Sequence, residues 1–321
     1  MIKNLDNMNL VMMEAGGDAV RSSLIFLNDL KITYGITFNP VFIDMNPKSL
    51  YDLKEFLGCG EYHVQGNINR YLTELNNFVV MPVDEYGRNH DLDEFSENNY
   101  ACELTNELVE LIHNKKSCYS RLMDQGFENY LPDTYSSVNE LLECNPESMV
   151  VVRRNKSAGS KGLLITKVKD IPFGILQEFD KYIITEYIND TKEYVVDYVC
   201  TDDNNLSIFP RQTTSLKNGA DTYVKLLSNN SDEFKIIDKF MHNIILKNHA
   251  FGIGMIQVLI KNGRLYFIEW GLRLSGSSYV NLDVMNNNLY EIYSYGKQAN
   301  YPDSDIMYST KFNRFINIKD N

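Results

Sequence analysis

The chain has 321 residues, of which 44% are hydrophobic, enough for two or three lobes around sizeable cores. Its net charge of −12 excludes a general nucleic-acid binder, whose surface must be basic, but allows a local basic pocket for a small phosphate ligand. No apolar run is long enough to cross a bilayer, the segment Met1–Met8 lacks the apolar core of a signal peptide, and five scattered cysteines without C-x-x-C fit reduced thiols. A cytoplasmic protein with neither membrane nor nucleic-acid partner is expected.

In chain order, strands and helices alternate at first. Asn9–Met13 reads as a strand, Glu14–Asp18 as a turn with Gly16-Gly17, and Ala19–Asp29 as a helix. Pro40–Met45 is a second strand, followed by Asp44-Met-Asn-Pro47 and a helix over Leu50–Leu57. Tyr62–Val64 is a short strand, Asn69–Leu75 a helix and Phe78–Pro82 a strand. This alternation predicts a parallel, doubly wound sheet, with its ligand crevice at the carboxyl ends of the strands. A helix over Glu103–His113 and a second one ending at Gly126 come next. Strands follow at Met149–Val152, Leu163–Thr166, Ile183–Tyr187, Glu193–Cys200 and Ser207–Pro210, then a long amphipathic helix over Asp232–Asn248. The region from Asn281 reads as one helix and a loosely ordered polar tail.

The most informative segment is the run from Met255 to Ser278. Met255–Ile260 and Leu265–Ile268 are strand-like apolar runs, and Asn262-Gly263 between them is a strong hairpin signal. Pairing would bring Gln257 beside Glu269, so that two oxygen donors converge on one hard cation. Arg273 follows in a Ser/Gly-rich turn and suits a phosphate that the cation also touches. The plain alternative is an ordinary hairpin with scattered polar residues.

Between Val152 and Leu163 lies a polar, basic loop containing Arg153, Ser157, Gly159, Ser160, Lys161 and Gly162. Its glycines can adopt positive φ and aim backbone N–H groups at phosphate oxygens. It matches no Walker A pattern, and a solvated hairpin tip is the alternative reading. Glu186-Tyr187-Ile188 suits a hinge whose amides read an adenine edge, and Glu193 suits ribose hydroxyls. In isolation each of these is an ordinary surface position.

Taken in order, these pieces resemble the ATP-grasp superfamily, in particular its carbamoyl phosphate synthetase-like and amino-acid ligase branches. Asn114-Lys115 followed by Gly126 resembles the family's Asp-Lys…Gly segment. Val150-Val-Val-Arg153 with Ser157–Gly162 resembles Val-Val-Lys-Pro…Gly-Ser-Gly-Ser-Arg-Gly. Thr185-Glu-Tyr-Ile…Lys192-Glu-Tyr-Val-Val-Asp197 is similar to the adenine hinge and ribose segment. Gln257 with Ile268-Glu269…Arg273-Leu-Ser-Gly276 is similar to the metal-binding strands, usually Glu-x-Asn-x-Arg. Two positions depart from the pattern: Arg153 replaces a lysine, and Gly271 replaces the asparagine.

The resemblance implies an α/β and α+β chain, with an N-terminal parallel-sheet domain (1–105), a small ATP-grasp subdomain (106–185) and a C-terminal subdomain with the metal site (186–321). It implies an ADP-forming carboxylate–amine ligase using ATP and magnesium or manganese, with small-molecule carboxylate and amine substrates and room for a homodimer. Gln257 and Glu269 would hold the metal. Lys115 and Arg153 would grip the nucleotide phosphates, Ser157–Gly162 would cover them, and Arg273, with Arg153, would serve the transferring phosphoryl group. Arg211 and Ser275, Gly276 and Ser277 would hold the substrate carboxylate. A nucleotide-binding protein without turnover is the competing expectation, motivated by Gly271. A plain dinucleotide-binding protein is a third, opposed by the lack of G-x-G-x-x-G.

Overall fold

The structure is a computed structural model. It describes residues 8–13, 38–44, 60–64, 78–82, 106–156, 162–200, 205–215, 221–271, 297–309 and 314–316, with single positions between them. The helices expected over Ala19–Asp29 and Asn69–Leu75 lie outside the described residues. So do the Gly16-Gly17 turn, most of Leu50–Leu57 and the side chain of Asp44.

Three sheets carry the fold. The first has strands β1 (Met8–Met13), β2 (Phe38–Asp44), β3 (Glu61–Val64) and β4 (Phe78–Pro82) in the order β3-β2-β1-β4, with every neighbour parallel. Runs such as Val41-Phe42-Ile43 are fully buried, as a sheet covered on both faces requires. The expected parallel sheet is therefore present.

Helices α1 (Asn106–His113) and α2 (Lys115–Asp124) follow. Asn114 separates them and caps α2, its side chain accepting from the Ser117 amide at 3.0 Å. The second sheet is antiparallel, in the order β6 (Leu164–Lys167), β5 (Met149–Arg154), β7 (Tyr182–Glu186). One face buries Val150, Val152 and Ile184 beneath α3 (Val138–Glu143) and the segment around α4 (Phe173–Gln177). The other face carries Met149, Val151, Ile165 and Arg153; of these Met149 and Ile165 are well exposed and Arg153 is buried.

The third sheet runs β12 (Arg264–Gly271), β11 (Gly252–Lys261), β8 (Lys192–Cys200), β9 (Leu206–Ser215), β10 (Asp221–Leu226), β13 (Ile306–Ser309), β14 (Arg314–Ile316), all antiparallel. Helix α5 (Asp232–Lys247), capped by Ser231, lays Phe234, Ile237, Phe240, Met241, Ile244 and Ile245 on one face of this sheet. That face supplies Tyr194, Val196, Tyr198, Ile256, Val258, Leu265 and Phe267 to the main core. Among the described residues no helix is long and apolar enough to cross a membrane.

Two expectations are corrected here. The tail contributes β13 and β14, paired onto β10, with Ile306 packed on Val224, Leu226 and Val280. An edge strand accounts for residues that composition alone marks as loose. Strand β9 also continues through Pro210 to Ser215, so Arg211 lies inside it rather than after it. Pro210 pairs with Val196 of β8, while β10 pairs β9 only from Arg211 onward, so proline stands where β9 is flanked by one strand of the described sheet.

The β11–β12 turn positions the site. Asn262 and Gly263 have φ of +51° and +78°, as a two-residue type I′ turn requires. This pins Lys261 opposite Arg264 and thereby the whole register of the hairpin. Gly263→Val should cost about 1–2 kcal/mol, the penalty of a left-handed conformation for a side-chain-bearing residue. Denaturant unfolding monitored at Trp270 checks this; an unchanged midpoint would contradict the turn assignment.

Candidate functional site

Gln257 pairs directly with Glu269, as the hairpin pattern predicts. One turn-ward step along, Val258 pairs with Phe267, so Ile268 is an extra residue in β12. This bulge lets Leu265 and Phe267 face the core while Glu269 faces the opposite side with Gln257. Paired positions share a face, so Glu193, Val195 and Asp197 of β8 and Arg211 and Thr213 of β9 lie on that same side.

A polar line crosses three strands on this face. Gln257 Nε2 donates to Glu193 Oε1. On β12, Glu269 Oε1 forms an ion pair with Lys115 Nζ at 3.0 Å. Lys115 is the first residue of α2 and is buried. It is held there by its own amide, which donates to Asn155 O at 3.1 Å, and by the Lys116 amide, which donates to Asn155 Oδ1 at 2.8 Å. Asn155 follows β5, so the start of the basic loop is tied to the start of α2.

Arg153 is buried and spans the gap between the second and third sheets. Its Nη1 donates to Ile268 O at 2.8 Å and its Nη2 to Tyr119 Oη at 2.9 Å; Tyr119 Oη in turn donates to Phe267 O at 3.1 Å. Burial raises the Tyr119 pKa, and the Arg153 guanidinium partly offsets the rise. Next to it, burial pushes the Cys118 thiol up to about 12, against a smaller opposing pull from Lys115 and a small push from Glu269.

Arg211 is fully buried. Its Nη1 contacts Asp197 Oδ2 and its Nη2 the Ser275 hydroxyl, while the Ser275 amide donates to Asp197 Oδ1 at 2.8 Å. The guanidinium expected to grip a substrate carboxylate is thus spent on seating the segment after β12, where half-buried Arg273 stands two residues before Ser275. Gly276 and Ser277 lie outside the described residues, as do Ser157, Gly159, Ser160 and Lys161. Gly162 has φ of +80°, as expected for a glycine closing such a loop.

At the hinge, the amide of Glu186 donates to Asp133 O at 2.8 Å and that of Tyr187 to Met149 O at 3.0 Å. Only the Ile188 amide has no acceptor among the described residues, so one hinge amide rather than three remains for an adenine edge. Glu186, Tyr187, Ile188, Lys261, Arg264 and Tyr266 line a cleft of about 320 Å³ there. The Arg264 guanidinium lies over the Tyr266 ring at 4.4 Å from its centroid.

The donor set suits a hard cation that keeps water ligands: one carboxylate, Glu269, and one amide, Gln257, on adjacent strands. Among the described residues no group of three His, Cys, Asp or Glu side chains forms a closed metal cage. Tyr119, Asn155 and Asp197 were not singled out from the sequence. Asp197 alone carried a signal, lying four residues after Glu193 and therefore on the same strand face.

No family model matches the chain, and no curated protein matches it. Solved structures do. An N5-carboxyaminoimidazole synthetase from Staphylococcus aureus complexed with ADP superposes with a TM-score of 0.70 at 15% identity, covering 95% of this chain and 83% of that one. The chain has the ATP-grasp fold. The biotin carboxylase domain of the Hydrogenobacter thermophilus 2-oxoglutarate carboxylase, crystallised with MgADP, ADP and bicarbonate, shares it with a TM-score of 0.69 at 11% identity over 93% of this chain and 73% of that one. A biotin carboxylase from Campylobacter jejuni in complex with β,γ-ATP gives 0.67 at 13%, covering 93% and 74%. At such identities the likeness carries the ATP-grasp fold, and the site must be argued from its own residues.

Two predictions arise from this geometry. Arg153→Met should lose about 2–4 kcal/mol and Tyr119→Phe about 1 kcal/mol, since a buried charged donor contributes more than a neutral one. The double variant should lose less than the sum, because the two share a hydrogen bond; urea unfolding of the cycle measures this, and additivity would contradict it. The thiol's raised pKa means that the folded state holds its proton more tightly than the unfolded chain. Its contribution is complete below the ordinary thiol range near 9 and fades as pH rises toward about 12. Cys118→Ala should flatten part of the alkaline stability loss between those values, measured by thermal melts across that range.

Proposed function

We propose that the protein is an ATP-dependent, ADP-forming carboxylate–amine ligase, which phosphorylates a small-molecule carboxylate to an acyl phosphate and joins it to an amine. One observation carries this reading: Lys115, Glu269, Gln257 and Glu193 converge on one sheet face, which the second sheet approaches through Arg153, in a chain with the ATP-grasp fold. The ADP, MgADP and β,γ-ATP complexes of the structural neighbours support a nucleotide in that space.

In this reading Gln257 and Glu269 hold magnesium or manganese. Such a cation, when bound, neutralises charge on the phosphates. Lys115 leaves its ion pair with Glu269 in part and turns its ammonium to the phosphate tail. Ser157, Gly159, Ser160, Lys161 and Gly162 cover the phosphates and exclude water that would hydrolyse the acyl phosphate. Ile188 reads the adenine edge beside Glu186 and Tyr187, and Glu193 takes ribose hydroxyls. Arg273 stabilises the transferring phosphoryl group. Arg153 acts by holding β12, and so Glu269, against the second sheet. Arg211 acts through Ser275, so the substrate carboxylate contacts we assign are the Ser275–Ser277 segment and Arg273. No protein nucleophile is required, because positioning and electrostatics supply the rate. The three segments 1–105, 106–185 and 186–321 are the proposed domains, and a homodimer is the proposed assembly.

The reading is tested by incubating the protein with ATP, magnesium, pooled amino acids and other small carboxylates, and amines. ADP and phosphate should form only when both substrates are present, and AMP would exclude the mechanism. Glu269→Ala should abolish turnover, a loss of at least about a thousandfold for a removed transition-state charge partner; it should also lower the melting temperature, because it leaves the buried Lys115 ammonium unpaired, while circular dichroism below the melt shows the fold retained. Unchanged turnover would remove Glu269 from the metal site.

A second reading rests on Gly271, which pairs with Met255 and supplies no side-chain oxygen where a further ligand would sit. It describes a nucleotide-binding protein with weak or no ligase turnover. ATP would then bind without ADP formation across the same screen, and Gly271→Asn would raise activity.

A further inference from the structure

On the face of β9 that it shares with Glu193, Arg211 and Thr213 are neighbouring polar residues, and their situations differ. Arg211 is closed off by Asp197 and Ser275. Thr213 is 5% exposed, and its hydroxyl has no hydrogen-bond partner among the described residues. Register places it between two neighbours of opposite character. On one side it pairs with Glu193 of β8; on the other it pairs with Val224 of β10, which belongs to the apolar cluster of Leu226 and Val280. The apolar side offers the hydroxyl nothing, so its capacity for hydrogen bonding lies toward Glu193. Leaving a buried hydroxyl without a partner costs free energy, and valine would fill the same volume without that cost. A threonine here therefore suits a ligand that brings its own hydroxyl.

We infer that Thr213 is a specificity residue of the nucleotide site, pairing with Glu193 to read the two ribose hydroxyls and to favour ribonucleotides over deoxyribonucleotides. The inference rests on the nucleotide reading above and adds a residue to it. A carboxylate has about four acceptor positions, so Glu193 can keep its bond from Gln257 and still accept from a ribose hydroxyl. The Thr213 hydroxyl both donates and accepts, so it can complete a hydrogen bond with the neighbouring ribose oxygen. A vicinal diol thus meets one charged acceptor and one hydroxyl on adjacent strands.

The experiment is calorimetric titration of the full chain with the magnesium complexes of ATP, 2′-deoxy-ATP and 3′-deoxy-ATP. The natural protein should prefer ATP to both analogues. Thr213→Val should shrink the preference against one of the analogues by about three- to tenfold, the worth of one neutral hydrogen bond, and leave the affinity for that analogue within about twofold. Thr213→Ser should keep the natural ratios, and Glu193→Gln should shrink the preference at the other hydroxyl. The ligand-free Thr213→Val protein should melt at the same temperature or higher, since it loses a buried hydroxyl that had no partner; that rise together with lost ribose discrimination distinguishes ligand reading from a packing role. Natural ratios retained in Thr213→Val would overturn the inference while leaving the nucleotide site standing. A natural protein without ATP affinity would overturn both.

Discussion

Strand β12 ends the seven-stranded sheet, so among the described residues one of its edges has no strand to pair with. An unpaired edge is unstable when buried and prone to aggregate when exposed. Here the edge is closed by side chains: Arg153 donates to Ile268 O and Tyr119 to Phe267 O, at the place where the bulge turns these carbonyls outward. This contact joins the second sheet to the third. It brings α2 against β12, and with α2 comes Lys115, whose ammonium reaches Glu269. The candidate site exists because an edge strand's backbone had to be satisfied from the neighbouring lobe.

The same face shows how charge is kept in a region with little water. Buried ions are costly unless paired, and three buried cations here have acceptors. Lys115 has Glu269, Arg211 has Asp197 and Ser275, and Arg153 has a carbonyl and a phenol. A net charge of −12 would repel a nucleotide from most of the surface. On this face the cations are instead matched by carboxylates, Lys115 by Glu269 and Arg211 by Asp197.

What could be read from the chain followed from short-range rules. The Asn262-Gly263 dipeptide between two apolar runs was enough to place Gln257 opposite Glu269. The four parallel strands could be located from apolar runs between helix-like segments. Arg211 was misjudged because Pro210 reads as a strand end, although an asymmetric flank lets the strand run on. Nothing local in the sequence shows that the Glu186 and Tyr187 amides already have acceptors at Asp133 and Met149. The tail was taken as loose because its pairing partner, β10, lies some 80 residues earlier.

The sequence by itself determined many of the strands, the long amphipathic helix, the hairpin pairing and the types of side chain available for phosphate and cation, since these depend on neighbours within a few residues. Tertiary structure alone decided which of those side chains meet. Tyr119 and Arg153 touch β12 across more than a hundred residues of chain, and Asp197 claims Arg211 and Ser275 from two other segments. Such contacts follow from the burial of charge and the satisfaction of a strand edge, which are properties of the assembled lobes and leave no periodic mark in the chain.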